Sequence, residues 1–281
     1  MDSFSFNPAE TTASFNESGI KKANRSIFKT ILLAILGGAF IAFASEGSNV
    51  AIHTIPSVGL GKALAGALFS TGLMMVVIAG ADLFTGNMLM VISLSDKKIN
   101  VLDMLKNWSI VYIGNFIGSI LIVLFVIYSG QFHFSGGMLG GFTIKIAAYK
   151  TGLSFTNAFF MGLLCNWLVC MAVWMAASAK DISGKLLAIF FPIWLFITSG
   201  FEHSIANMYY IPAGILAKAD PLYLEQAKEM GVSSSAIAGL NWQSFFTSNL
   251  IPVTLGNMIG GIIFVGMIFW ITYSHKKSSV K

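Results

Sequence analysis

Long apolar stretches separated by short polar segments run through almost the whole chain. Four of these stretches have the length of a single membrane-spanning helix, which needs about 20 mostly apolar residues. They cover residues 27–45, 107–128, 155–178 and 247–273. Two further stretches, 63–93 and 185–215, are longer, and each has a polar cluster in its interior. A helix broken near its middle fits such a stretch better than a straight span, so the pattern predicts six spans, two of them discontinuous.

The composition supports an all-α integral membrane protein. Of 281 residues, 56% are hydrophobic and only 10% are charged, whereas soluble domains carry about 25% charged residues. A soluble enzyme and a nucleic-acid-binding protein are therefore excluded as interpretations. The two cysteines match neither a disulfide framework nor a zinc motif, so we expect no metal and no cofactor. The four histidines are scattered along the chain, which argues against a membrane enzyme.

The distribution of positive charge predicts the orientation in the membrane. Of the 17 Lys and Arg residues, 12 fall on the side of the two termini and 5 on the opposite side when all are assigned to loops. Loops rich in Lys and Arg stay in the cytoplasm. We therefore expect a multi-pass protein of the cell membrane, with a cytoplasmic segment 1–26, a transmembrane domain 27–273 and a cytoplasmic tail 274–281.

The two halves of the transmembrane domain repeat each other. Segments 107–118 and 249–260 both read Asn, six residues, Gly-Asn, two residues, Gly. The polar interruptions at 82–87 and 202–207 both read an acid, four residues, then Asn. The spacing therefore predicts an internal repeat.

An inverted repeat places a transport site near the middle of the membrane. The repeats cover about 27–128 and 155–273, with three spans each, and an odd number gives the two halves opposite topology. Inverted repeats with paired broken helices are typical of transporters, and irregular backbone at membrane depth lines a wet cavity or is buried in protein. We expect Gly86 to allow the tight turn in the first break. A channel and a proton-coupled secondary transporter both fit this pattern.

Four motifs resemble those of the formate/nitrite transporter family. The segments ADLFTGN at 81–87 and GFEHSIANMY at 200–209 are similar to its two signature loops. The segments CNWLVC at 165–170 and NLIPVTLGN at 249–257 also resemble family patterns. Together with SEGSN at 45–49, they resemble most closely the hydrosulfide channel branch of the family.

The resemblance implies an aquaporin-like fold and a homopentamer in which each protomer has its own pore. It implies a channel in the lipid bilayer for small monovalent weak-acid anions, with hydrosulfide or formate as the best candidates and nitrite as a third. A proton-coupled transporter of formate or nitrite on the same fold remains the alternative.

The resemblance places His203 at the centre of the pore, with Thr85 and Asn166 beside it. His203 is the one histidine within a predicted span, and ionisable groups inside a membrane are functional candidates by default. An imidazole that changes charge readily could attract an anion or lend it a proton. The resemblance also implies two apolar constrictions. They consist of Leu73, Leu83 and Phe84 on the cytoplasmic side and Phe69 and Phe196 on the opposite side.

Charged and amide side chains complete the expected site. Lys150 aligns with a lysine near the outer vestibule, where positive charge would concentrate anions. The remaining four residues are expected to stabilise the loops by accepting and donating hydrogen bonds. They are Asp82, Asn87, Glu202 and Asn207.

Overall fold

The computed structural model describes residues 5–274, and helices make up most of this part of the chain. We number the helices in chain order. The first six are α1 (Pro8–Ala23), α2 (Ile27–Ile52), α3 (Val58–Ala79), α4 (Gly86–Ser95), α5 (Val101–Tyr128) and α6 (Met138–Thr151). The others are α7 (Phe155–Ser178), α8 (Ile182–Thr198), α9 (Ser204–Ala217), α10 (Pro221–Glu229), α11 (Ser234–Gly239) and α12 (Trp242–Ser274).

The helices form the six expected crossings. Within residues 5–274, five helices are long and apolar enough to cross a membrane, namely α2, α3, α5, α7 and α12. The second crossing consists of α3, a break and α4, and the fifth consists of α8, a break and α9. Because six crossings return the chain to its starting side, residues 5 and 274 lie on one side of the membrane, here called the terminal side. The tail from residue 275 onward lies outside the described residues.

Each break begins at a glycine with a left-handed backbone. Gly80 ends α3 and Gly200 follows α8, both with φ of 73°. After each glycine an amide reaches back into the preceding helix, from Ala81 to the Val76 carbonyl (2.9 Å) and from Phe201 to the Phe196 carbonyl (3.1 Å). This hydrogen bond is typical of a helix end that needs glycine. The expectation that Gly86 makes the turn was wrong, because the left-handed residue is Gly80, six positions earlier.

Close helix pairs occupy equivalent places in the two halves. α2 packs on α5, and α7 packs on α12. A side chain at Gly118 would place its Cβ 2.0 Å from the Ile35 carbonyl oxygen, and one at Gly260 would place it 2.2 Å from that of Leu163. Such approach is possible only without a Cβ. The glycines of the repeated motif therefore let each pair of helices touch along the backbone.

The repeat is longer than the apolar pattern predicts, because each half begins with a helix that this pattern does not reveal. The Asn107 amide donates to the Lys22 carbonyl at the end of α1 (3.4 Å). The Asn249 amide donates in the same way to the Lys150 carbonyl at the end of α6 (3.0 Å). Lys150 therefore lies on a helix and not in a loop. Both helices are too short or too polar to be recognised as spans.

Candidate functional site

Two asparagines fix the two helix breaks in the same way. The Asn115 side chain accepts the last amide of segment 82–84 (2.9 Å) and donates to the carbonyl of its first residue (2.9 Å). The Asn257 side chain accepts the last amide of segment 202–204 (2.9 Å) and donates to the carbonyl of its first residue (3.0 Å). Both asparagines are completely buried. The irregular backbone at membrane depth is thus hydrogen-bonded inside the protein, as it must be away from water.

The two breaks bring His203 and Thr85 together. The Thr85 hydroxyl oxygen lies 3.0 Å from His203 Nε2, although the two residues are 118 positions apart in the chain. Both side chains are buried. The pairing that the sequence suggests is therefore present in the structure.

The cap of α9 determines which nitrogen of His203 carries the proton. His203 is the N-cap residue, and its Nδ1 accepts the backbone amide of Ala206 (3.1 Å). A neutral imidazole has one acceptor and one donor nitrogen. With Nδ1 as acceptor, Nε2 carries the hydrogen and donates it to Thr85. The Thr85 hydroxyl can then donate its own hydrogen to a bound ion or molecule.

The first turn of each half-helix also faces the place where the breaks meet. α4 begins at Gly86, directly after Thr85, and α9 begins at Ser204, directly after His203. The amide ends of helices carry partial positive charge and favour anions. The centre of the protomer therefore combines two side-chain donors with two helix ends that favour negative charge.

Side chains of α7 support Thr85 from behind. The Asn166 amide donates to the carbonyl of Thr85 (3.2 Å) and to that of Asn257 (2.7 Å). The Cys170 thiol also donates to the Thr85 carbonyl (3.3 Å). Asn166 thus holds the backbone of Thr85. The contribution of Cys170 is not visible from the sequence, where it looks like a packing residue.

Two phenylalanines lie next to the histidine. The rings of Phe69 and Phe196 meet edge to face with centroids 5.7 Å apart. Phe196 in turn stacks on the His203 imidazole, with centroids 6.1 Å apart. Both phenylalanines are almost completely buried. The structure therefore places the two residues expected at one constriction against each other and beside His203.

The residues expected at the other constriction do not all line one space. Leu73 and Leu83 line a cavity of about 300 Å³ that also has Lys22, Arg25 and Asp82 in its wall. The Phe84 ring instead packs edge to face on Tyr112, with centroids 4.7 Å apart, and lines a different groove between α5 and α12. Side-chain direction separates Phe84 from Leu83, because adjacent residues in the break point to different sides.

A buried acid in each break is paired with a lysine from the leading helix of its half. Lys22 of α1 contacts Asp82 (3.0 Å), and Arg25 makes a second ion pair with the same carboxylate. Lys150 of α6 contacts Glu202 (2.7 Å). The side chain of Lys150 is only 12% exposed. Its charge is therefore compensated by Glu202 and is not freely exposed in an outer vestibule, as the sequence suggested. The sequence gives no hint of Lys22 and Arg25 in this place.

The asparagines at the ends of the two signature loops also have matching partners. Asn87 donates to Asn107 (2.9 Å). Asn207 donates to Asn249 (2.6 Å) and to the carboxylate of Glu202 (2.7 Å). Within residues 5–274, no cluster of three or more His, Cys, Asp and Glu side chains could hold a metal ion.

Comparison with known proteins agrees with this architecture. The family model described as formate/nitrite transporter matches residues 9–271. The formate channel FocA of Escherichia coli K12 is 38% identical over 271 residues, which cover 95% of this chain and 94% of the relative.

Two solved structures have the same fold. A structure described as a pentameric formate channel with formate bound superposes with a TM-score of 0.78 at 38% identity, covering 90% of this chain and 99% of that one. A structure described as an FNT family ion channel has a TM-score of 0.78 at 26% identity, covering 94% of this chain and 98% of that one. The relatives are named as channels or transporters, not enzymes. The chain is a multi-pass membrane protein that belongs to the formate/nitrite transporter family.

Proposed function

We propose that each protomer is a channel for small monovalent weak-acid anions, with formate as the first candidate substrate. The observation that carries the proposal is the buried Thr85–His203 pair, which lies where two broken helices meet and has Phe69 and Phe196 on one side. A relative and a solved structure that are named as formate channels support formate as the first candidate, ahead of nitrite and hydrosulfide.

The centre would recognise an anion by hydrogen-bond donors. A small anion there would accept hydrogens from His203 Nε2 and the Thr85 hydroxyl in place of water. Hydrogen bonds to charged groups contribute about 1.5–3 kcal/mol each. The apolar side chains on either side would strip water from the ion, as hydrophobic constrictions do. An ion that forms strong hydrogen bonds and fits between the two breaks would therefore pass best.

We further propose that His203 lends a proton to the passing anion. The ring would take up a proton from water at Nδ1 and give its Nε2 proton to the anion, so that the neutral acid crosses the second constriction. The acid would ionise beyond the constriction and its proton would return to Nε2, so that the anion crosses with no net proton. Protonation at Nδ1 breaks the hydrogen bond from Ala206, at a cost of about 1–3 kcal/mol. The attraction of an adjacent anion can offset a cost of this size. Proton transfer would then occur only with an anion bound.

The alternative is a proton-coupled transporter of formate or nitrite, which would use the same histidine but carry the proton across. Purified protein in liposomes separates the two functions. Fluxes of formate, nitrite, hydrosulfide and chloride are measured at a fixed pH, with and without a proton gradient. Formate flux without a gradient, well above chloride flux, supports the channel. Formate accumulation against its gradient, driven only by the proton gradient, would establish the transporter.

We propose a homopentamer in the cell membrane, with both termini in the cytoplasm. The large apolar side chains exposed on the protomer, such as Phe43, Phe125 and Phe191, would face lipid or a neighbouring copy. The pentamer described for the structural relative supports this assembly. Native mass spectrometry of the detergent-solubilised protein tests it, with a five-fold protomer mass as the expected result.

A further inference from the structure

The half of the protomer opposite the terminal side contains a buried acid that the proposed pore does not use. Glu46 lies on α2 near its end opposite the terminal side, and its side chain is almost completely buried. Glu46 Oε2 accepts the Tyr209 hydroxyl (2.6 Å). Glu46 Oε1 has no hydrogen-bond partner among the described residues. A carboxyl group at this depth is a functional candidate by default.

Glu46 differs in its environment from the other two carboxyl groups buried in the membrane. Asp82 is paired with Lys22 and Arg25, and Glu202 is paired with Lys150. Within the described residues, Glu46 makes no ion pair, and its bound donor is a neutral phenol. Burial of an uncompensated carboxylate is very unfavourable, and such a group takes up a proton instead. Glu46 is therefore the buried acid whose charge depends on proton binding.

A second polar group without a partner lies on the same face of α2. Asn49 is one turn beyond Glu46, and residues three apart on a helix are neighbours. The Asn49 side-chain amide is buried and also lacks a partner among the described residues. The two groups make no hydrogen bond to each other in this structure. A side-chain rotation that brought the Asn49 amide to the free carboxyl oxygen would lower the cost of the ionised form, as a site for an exchangeable proton requires.

The cluster is connected to the charges next to the pore. Tyr210 follows Tyr209 on α9, and the two rings meet edge to face with centroids 6.0 Å apart. The Lys150 ammonium group lies over the Tyr210 ring, 5.2 Å from its centroid, and pairs with Glu202. Tyr209 is six residues beyond His203, or about 9 Å along α9. A charge on Glu46 therefore acts on the Lys150–Glu202 pair and on an anion at His203.

The remaining charged and titratable groups on the helices packed against α2 are exposed or bonded elsewhere. Lys62 on α3 is exposed. Tyr112 on α5 bonds Thr254 of α12, on another face. His53, the C-cap residue that follows α2, is seven residues beyond Glu46 and bonds Ser135. Tyr209 and Tyr210, with Lys150 and Glu202 behind them, are thus the titratable groups that face Glu46.

We propose that Glu46, with Tyr209 and Asn49, forms a second proton-binding site in each protomer, separate from His203, whose proton occupancy tunes anion conduction. With the proton bound, Glu46 is uncharged, and the charges of Lys150 and Glu202 cancel, so the region has no net charge. With the proton released to solvent, Glu46 adds one negative charge that repels the anion. The effect on conduction rests on the proposed channel function, whereas the proton site itself does not.

The size of the effect follows from distance. The separation along α9 puts the Glu46 charge on the order of 10 Å from the anion, and at an effective dielectric of about 20 such a charge changes anion occupancy by roughly tenfold. Conduction should therefore fall about tenfold as pH rises through the titration of Glu46. Glu46→Gln has the shape of the protonated acid and cannot ionise, so it should lose this fall.

Proton binding is measured first, without any flux. Infrared difference spectra of the reconstituted protein between pH 5 and 9 should contain a carboxylic-acid C=O band that disappears at high pH. The band should be absent in Glu46→Gln and shifted in frequency, but present, in Tyr209→Phe, which removes the hydroxyl bonded to the acid. Glu10→Gln, at an exposed carboxyl on α1, serves as the control and should leave the band unchanged. A spectrum identical in wild type and Glu46→Gln at every pH overturns the proton site.

Conduction is then measured as the ratio of formate flux in Glu46→Gln to that in wild type at each pH. The ratio cancels the titration of the anion and of His203, which both proteins share. It should rise about tenfold between pH 5 and 9. A ratio constant with pH overturns the tuning of conduction. If the wild type passes no weak-acid anion, the proposed channel function fails, while the infrared spectra still decide on the proton site.

Discussion

Replacing His203 by asparagine separates its structural role from its chemical role. The imidazole accepts the Ala206 amide through Nδ1 and faces Thr85 through Nε2. Asparagine is among the best N-cap residues, so His203→Asn should keep the start of α9. The same variant cannot take up and release a proton. His203→Leu loses both functions and serves as the comparison.

The expected magnitudes differ between stability and flux. Loss of an N-cap hydrogen bond costs about 0.5–2 kcal/mol of stability, which should appear in His203→Leu and be small in His203→Asn. Loss of the hydrogen bond from Nε2 to an anion removes about 1.5–3 kcal/mol. The flux of weak-acid anions should then fall by about tenfold to about a hundredfold in both variants.

Selectivity and pH dependence test the proton-lending role. Formate, nitrite and hydrosulfide can accept a proton, whereas chloride effectively cannot. If His203 lends a proton, His203→Asn should lose the preference for these anions over chloride. Its flux should also lose the response to pH between about 5 and 8, where an imidazole ordinarily titrates.

The assay is flux in liposomes at several pH values, for wild type and both variants, with formate and chloride compared side by side. Equal thermal stability of wild type and His203→Asn confirms that the cap is preserved. If His203→Asn keeps both its selectivity and its pH profile, His203 is a fixed donor and the proton-lending role is wrong.

Substitutions at four further positions test the pore, its scaffold and the orientation of the protein in the membrane. Leu83→Ala should raise formate flux several-fold, because Leu83 lines the cavity at the break and a smaller side chain would widen it; unchanged flux in a folded variant places the constriction elsewhere. Thr85→Val should lower flux while Thr85→Ser retains it, because only the hydroxyl can bond His203 and an anion. Asn115→Leu should lower the melting temperature and flux together, since it removes hydrogen bonds to buried backbone worth about 1 kcal/mol or more each. A cysteine at Ser278 should resist labelling from outside intact cells, and ready labelling would reverse the orientation; Cys165 and Cys170 are buried and give little background.

The sequence predicts the helical spans and the centre of the site well. Apolar length determines where a helix can cross a membrane, and polar clusters inside two overlong stretches reveal the breaks. The predicted span at 155–178 coincides with α7. The pairing of Thr85 with His203 was expected from the family resemblance, because both residues lie in segments that resemble its signature loops.

Long-range partners could not be predicted in the same way. Lys22 and Arg25 lie in a polar segment that no apolar pattern connects with Asp82, 57 or more residues away. α6 is short and contains two lysines, so it looks like a loop. Phe84 is adjacent to Leu83 in sequence, and only the backbone of the break determines that its ring faces Tyr112. In each case the missing information is a direction or a partner, which local composition does not contain.

The comparison of the two breaks indicates which residues are scaffold and which are specific to the pore. In the aligned breaks, Asp82 corresponds to Glu202, and both are acids paired with a lysine. The asparagines that fix the breaks are the same residue type at the same spacing. The backbone atoms they bind belong to the first and third residues of each segment, 82–84 and 202–204.

The second residue of each segment lies between these fixed points, and here the two halves differ. It is Leu83 in the first break and His203 in the second. The same hydrogen bonds from an asparagine hold the backbone on both sides of each position. A change of side chain at either position therefore leaves those hydrogen bonds in place. One half thus supplies an apolar side chain to the wall of a cavity, and the other supplies the imidazole at the centre. The duplicated residues build a symmetric frame, and under the proposed function we expect selectivity for an anion to arise where the two copies have diverged.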